Sequence, residues 1–151
     1  MTEDFASIVN FIINKVGKPA NAQAYFENVK DGFKLPAIYF PEPDTIVQKS
    51  VLSNQYNFSN LLFVQVFHLT NDDAYRLAND IATALFKNAC CVPLLKEDGT
   101  STDLFVRVKV DKVSRIDDCV AQVQLSWNYN RNFEEEADKT DKININLNLG
   151  G

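Results

Sequence analysis

The stretch from Gln55 to Leu69 limits the fold more than any other part of the chain. It contains neither proline nor glycine and runs well past the usual strand length of about five or six residues. In its second half both alternating sets are apolar, with Leu62, Val64 and Val66 on one side and Leu61, Phe63, Phe67 and Leu69 on the other. Strand side chains point alternately to opposite faces, so this segment is expected inside a sheet with both faces covered. Its first half, Tyr56-Asn57-Phe58-Ser59-Asn60, is mixed, and Thr45 to Val51 can pair with it across Leu52 to Asn54. The expected product is a hairpin projecting past the main sheet, a shape of little use to an isolated copy.

Two helices are expected to cover that sheet. Phe5, Ile8, Val9, Ile12, Ile13 and Val16 recur at spacings of three and four, which places them on one helical stripe. Thr2 is suited to cap this helix, Glu3 and Asp4 to its positive end, and Gly17-Lys18-Pro19 to its termination. Phe11 falls off the stripe and reads as a lone surface aromatic. The second helix carries Ala74, Leu77, Ala78, Ile81, Ala82 and Leu85 on one face, with Asn71 as its expected cap and Lys87 in its last turn. The alanines let its axis approach a sheet closely.

The remaining segments read as shorter strands. Pro36 to Phe40 is a strand stopped by Pro41 and Pro43, which lack ladder donors. Gln23 to Asp31 is a short strand or an irregular connection, and Ala89 to Leu95, which contains Pro93, is an edge strand or a buried connection. After the turn signal Glu97-Asp98-Gly99-Thr100 come two alternations. Leu104, Val106, Val108 and Val110 oppose Phe105, Arg107, Lys109 and Asp111; Cys119, Ala121, Val123, Leu125, Trp127 and Tyr129 oppose Val120, Gln122, Gln124, Ser126 and Asn128. Joined by a hairpin through Ser114 to Asp118, they form part of an antiparallel sheet covered on one side. The expected fold class is therefore α+β: an antiparallel sheet, or a mixed one, with two helices packed on one face, a projecting hairpin and a C-terminal arm. A domain over residues 1–131 is followed by residues 132–151. There Glu134, Glu135, Glu136, Asp138 and Asp141, with Lys139 and Lys142, form a charged linker ahead of Ile143, Ile145, Leu147 and Leu149, which alternate with asparagines. This terminal strand pattern can fold back on its own sheet, stay unpaired, or add to a neighbour's sheet; the reach of the linker favours the last.

Catalytic chemistry is poorly represented. The 151 residues hold one His, three Cys and five Gly, and no phosphate-cradling glycine cluster or zinc-type ligand spacing is present. His68 reads as a strand histidine near a helix start, and Cys90 and Cys91 as small hydrophobes. The pairs Asp72-Asp73 and Asp117-Asp118 are explained by capping and turn formation. The expectation is no enzyme, no cofactor and no metal. The net charge of -5 gives no electrostatic footprint for nucleic acid. Arg107, Lys109 and Lys112, with Gln122 and Gln124, make a mildly basic sheet face without stacking aromatics; it reads as solvated, or else as the lining of a channel. The N-terminal residues lack the basic and apolar regions of a signal peptide, no segment is long and apolar enough for a membrane span, and the odd, partly adjacent cysteines fit a reducing cytoplasm.

The opening helix, the Pro36-Ala37-Ile38-Tyr39-Phe40 strand, the run Leu62 to Leu69 leading into Asn71 to Phe86, and the closing strand Val120 to Tyr129 with Trp127 together resemble the tail terminator, or tail completion, proteins of long-tailed bacteriophages and phage-tail-like particles. The likeness covers about residues 2–131 and leaves out the linker and the arm. It implies a virion structural protein made in the host bacterial cytoplasm. Such a protein forms a hexameric ring that caps the tail tube, stops its polymerisation and presents a surface to the neck or head. The implied partners are other copies of the chain, the tube protein, a neck or head-completion protein and, in a contractile tail, the sheath. DNA would meet the ring only in passage through its lumen, and no membrane is involved. On this reading the subunit-interface candidates are Val47, Val51, Tyr56 and Phe58 of the hairpin and Ile143, Ile145, Leu147 and Leu149 of the arm. Arg107, Lys109, Gln122 and Gln124 are the lumen-face candidates. The competing expectations are a small α/β ligand-binding or enzymatic domain with a pocket between helix and sheet that contains His68 or paired acids, and another neck or adaptor component of the same particle.

Overall fold

The computed structural model describes residues 2–27, 32–49 and 55–132. Helix α1 (Glu3–Ile12) continues into one wider π turn, Ile13–Gly17, and is followed by strands β1 (Gln23–Tyr25), β2 (Ala37–Tyr39), β3 (Asp44–Lys49) and β4 (Gln55–Phe67). Helix α2 (Asn71–Lys87) leads to β5 (Cys91–Leu95), β6 (Ser101–Arg107), β7 (Lys109–Asp117) and β8 (Val120–Asn132). The fold is α+β. By compactness the described residues divide into two units, those of Met1–Asp44 with Leu61–Trp127, and those of Thr45–Asn60 with residues 128–132.

The main sheet runs β1-β2-β4-β8-β7, with β3 pairing β4 beside that path. It is mixed: β1 lies parallel to β2, while β2 with β4 and β7 with β8 are antiparallel. One face of the first unit is dry. Ile38, Leu62, Val64, Val66, Ala121, Val123, Leu125 and Trp127 pack there in one cluster with the apolar residues of both helices. Both helices therefore cover the same face, as the periodicity predicts.

Phe11 is a correction. It is buried because α1 packs sideways as well as onto the sheet, so Phe11 lines the groove facing Asp80, Thr83 and Ala84 of α2. The cap of α2 also shifts by one residue. The Thr70 hydroxyl accepts from the Asp73 amide at 3.1 Å, while Asn71 opens the helix. Leu69, assigned by alternation to a covered face, is 69% exposed, since the strand ends at Phe67. The opposite face of β4 is only partly covered: the Phe33 ring packs at a tilt against Phe67, Tyr25 and Tyr39, at centroid distances of 4.5, 4.7 and 5.6 Å.

The largest departure concerns residues 101–117. The sequence reads as one alternation, yet the chain changes sheets there. Strand β6 pairs antiparallel with β5 in a separate two-stranded sheet, and β7 pairs with β8. The change happens at Val108, which is fully buried and whose amide donates to the Cys90 carbonyl at 2.8 Å. On its other side β5 is held by α1. The Leu95 amide donates to Ser7 Oγ at 2.9 Å, and that hydroxyl donates to the Glu3 carbonyl at 2.6 Å. Ser7 is 1% exposed, so Ser7→Ala leaves a part-buried amide without its partner, a loss of about 1–3 kcal/mol. Urea denaturation of the full chain checks this, and an unchanged midpoint would mean that β5 is anchored by packing alone.

Candidate functional site

The residues that could carry function fall on surfaces, and the strand pattern decides where they lie. In the β5–β6 sheet, Leu104 and Phe105 are each 63% exposed. Consecutive strand residues point to opposite faces, so this ribbon shows apolar surface on both sides. The same holds for β3, where the adjacent Ile46 and Val47 are both more than half exposed. Val47 is one of the candidates named from the sequence. Phe58 lies on β4 and is half-buried. Tyr56 belongs to β4 but its side chain lies outside the described part, as do Val51, Ile143, Ile145, Leu147 and Leu149 altogether.

Leu104 and Phe105 were missed by sequence reasoning, which placed Leu104 with the inner set and Phe105 with the outer one. A signal was present. The apolar run Cys91 to Leu95 and the run Leu104 to Val106 are arranged on either side of the Glu97-Asp98-Gly99-Thr100 turn, as in a hairpin. The turn itself is tight: Gly99 has φ of +85°, a conformation that glycine adopts without steric cost. The Thr100 hydroxyl and then its backbone amide donate to Asp98, which holds that carboxyl below the usual aspartate range.

The polar face of the main sheet is built by β7 and β8. Cross-strand partners share a face, so Lys109 lies with Ser126, Lys112 with Gln124 and Ser114 with Gln122. Arg107 does not join them. It ends β6 opposite Cys91 in the other sheet, because the switch at Val108 comes between it and Lys109. Of the four residues expected on one face, Lys109, Gln122 and Gln124 share it with Lys112, and Arg107 does not. Lys109 lies 3.7 Å from Asp111, which tempers the local positive charge.

His68 sits where β4 turns into α2. Its Nδ1 accepts from the Leu69 amide at 2.8 Å and lies 3.9 Å from Asp73 Oδ2. Cys119, in the β7–β8 turn with φ of +59°, is tied to the same corner. Its amide donates to Asn71 Oδ1 at 2.5 Å and its thiol lies 3.5 Å from the Leu69 carbonyl. These contacts fasten a hairpin turn to a helix start. Among the described residues no group of three or more His, Cys, Asp or Glu side chains is placed to hold a metal. A groove of about 480 Å³ lies between α1 with its π turn and the second half of α2, edged by Lys15, Lys87 and Asp80; His68 and the acid pairs are not part of it. No described helix is long and apolar enough to cross a membrane.

The chain matches no protein-family model. It is similar over nearly its whole length to two proteins of Bacillus subtilis (strain 168). It is 26% identical over 140 residues to "Uncharacterized protein YqbJ", covering 93% of this chain and 92% of that protein. It is 25% identical over 150 residues to "Phage-like element PBSX protein XkdJ", covering 99% of each.

Proposed function

We propose that this chain is a structural or assembly protein of phage origin, and that it acts as the ring that caps the tail tube of a phage or phage-tail-like particle. The observation that carries the phage assignment is the end-to-end likeness to a phage-like element protein of matching length. What supports work through association is the surface: the ribbons at Ile46-Val47 and Leu104-Phe105 expose apolar side chains on both faces. Burying one such side chain against a neighbour contributes about 1.5–3 kcal/mol before association costs.

In this role the chain binds without chemistry. Ribbons dock on adjacent copies, the closed ring offers one side to the last tube ring and the other to a neck or head-completion protein, and the face carrying Lys109, Lys112, Gln122 and Gln124 borders the lumen. The test is tube growth. Tube protein polymerised with the full chain is expected to give short tubes bearing one terminal density in electron micrographs. Tubes that grow to the same length with and without the chain, and carry no terminal density, would refute the role.

A further inference from the structure

Strand β6 has one edge on β5 and no strand partner on the other edge among the described residues. The matching edge of β5 is not open in the same way, since Ser7 of α1 takes up the Leu95 amide. An unpaired edge beside exposed apolar side chains is a template for a further strand. We propose that this edge receives residues 143–149 from the C-terminal arm of a second copy, an inference that rests on the self-assembly proposed above.

Three features of the chain point to that occupant. The first is pattern. On β6 one alternating set is Thr102, Leu104 and Val106 and the other is Ser101, Asp103, Phe105 and Arg107; in the arm Ile143, Ile145 and Leu147 alternate with Asn144, Asn146 and Asn148. An antiparallel register with Ile145 opposite Leu104 sets Ile143 opposite Val106 and Leu147 opposite Thr102. The asparagines then fall opposite Phe105, Asp103 and Ser101, so the apolar set of the arm meets Leu104 and Val106 while its polar set meets the more polar set of β6. The second is charge. In this direction the linker leaves β6 at its Arg107 end, where Lys109 and Lys112 follow on β7. The linker brings Glu134, Glu135, Glu136, Asp138 and Asp141 against only Lys139 and Lys142. The third is reach. Residues 133–142 can extend to about 33–36 Å, more than the length of β6 itself, so the arm is not confined to its own copy.

Hydrogen exchange of the full chain tests this. The comparison is with Ile145→Asp/Leu147→Asp, used with an unfolding curve that shows its fold to be as stable as that of the unaltered chain. In the unaltered chain the amides of residues 101–107 should exchange roughly tenfold more slowly as protein concentration rises into the assembling range, and the variant should lose that protection. Protection that is independent of concentration would place the arm on its own copy and overturn the proposal. So would assembly of the variant with undiminished protection, and in that case the ring itself would stand. If the unaltered chain stays single even on tube ends, the ring fails and the arm exchange fails with it. Protection of 101–107 that survives in assembled rings after removal of residues 142–151 assigns the edge to a different partner and overturns the arm exchange alone.

Discussion

Trp127→Ala is expected to be a severely damaging single substitution, with a loss of about 3–5 kcal/mol of folding stability. Trp127 is 3% exposed and belongs to the central cluster. Its indole Nε1–H donates to Asp4 Oδ2 at 2.6 Å, a short bond to an acceptor that also sits at the positive end of α1. One residue thus closes the last core strand onto the first helix, across nearly the full length of the sequence. The alanine variant loses ring burial, leaves a cavity and removes one of the two hydrogen-bond donors to the Asp4 carboxylate, the other being the Phe5 amide. Trp127→Phe helps to separate these effects, since it keeps the six-membered apolar ring and loses the charge-assisted bond, about 1.5–3 kcal/mol, with a smaller loss of buried volume. Thermal unfolding followed by circular dichroism ranks the three proteins. Equal midpoints for the phenylalanine variant and the unaltered chain would show that the bond to Asp4 contributes nothing net.

Leu104→Asp/Phe105→Asp should do the reverse: leave the fold standing and remove assembly. Both side chains are 63% exposed, and surface substitutions away from packed features usually change stability by no more than about 0.5 kcal/mol. Each side chain contributes about 1.5–3 kcal/mol when buried against a neighbour. Taking both away from every interface and putting charges in their place is enough to weaken association at least about a hundredfold. Analytical ultracentrifugation beside an unfolding curve reads both quantities. A variant that assembles like the unaltered chain would show that the β5–β6 ribbon is not an interface.

Much of the fold was legible because the two periods, helical and extended, are strong where the core is built. The stripes Phe5 to Val16 and Ala74 to Leu85 became helices on one face of the sheet, and Leu62, Val64 and Val66 became its dry centre. What the periodicity missed depends on three-dimensional neighbours. Phe11 is off the stripe, yet a second helix lies beside it. Leu69 keeps the alternation after the strand has ended. Residues 104–110 alternate without a break although the chain leaves one sheet for another at Val108, because alternation records which side a residue faces and not which sheet it belongs to. That same ambiguity hid Leu104 and Phe105 and wrongly joined Arg107 to Lys109.

The proposed surface was legible in part. The apolar residues of the 45–60 hairpin read from the sequence as surplus, and Val47 is exposed. The β6 ribbon was found only in the folded chain, where Leu104 and Phe105 are each 63% exposed, one on either face of the ribbon.

Subunit count on the tube bears most directly on the self-association proposed for this protein. Native mass spectrometry of the complex formed by the full chain with short tubes of tube protein should show six copies added per capped end. A single copy per end, or none at concentrations where the tubes are saturated, would contradict it.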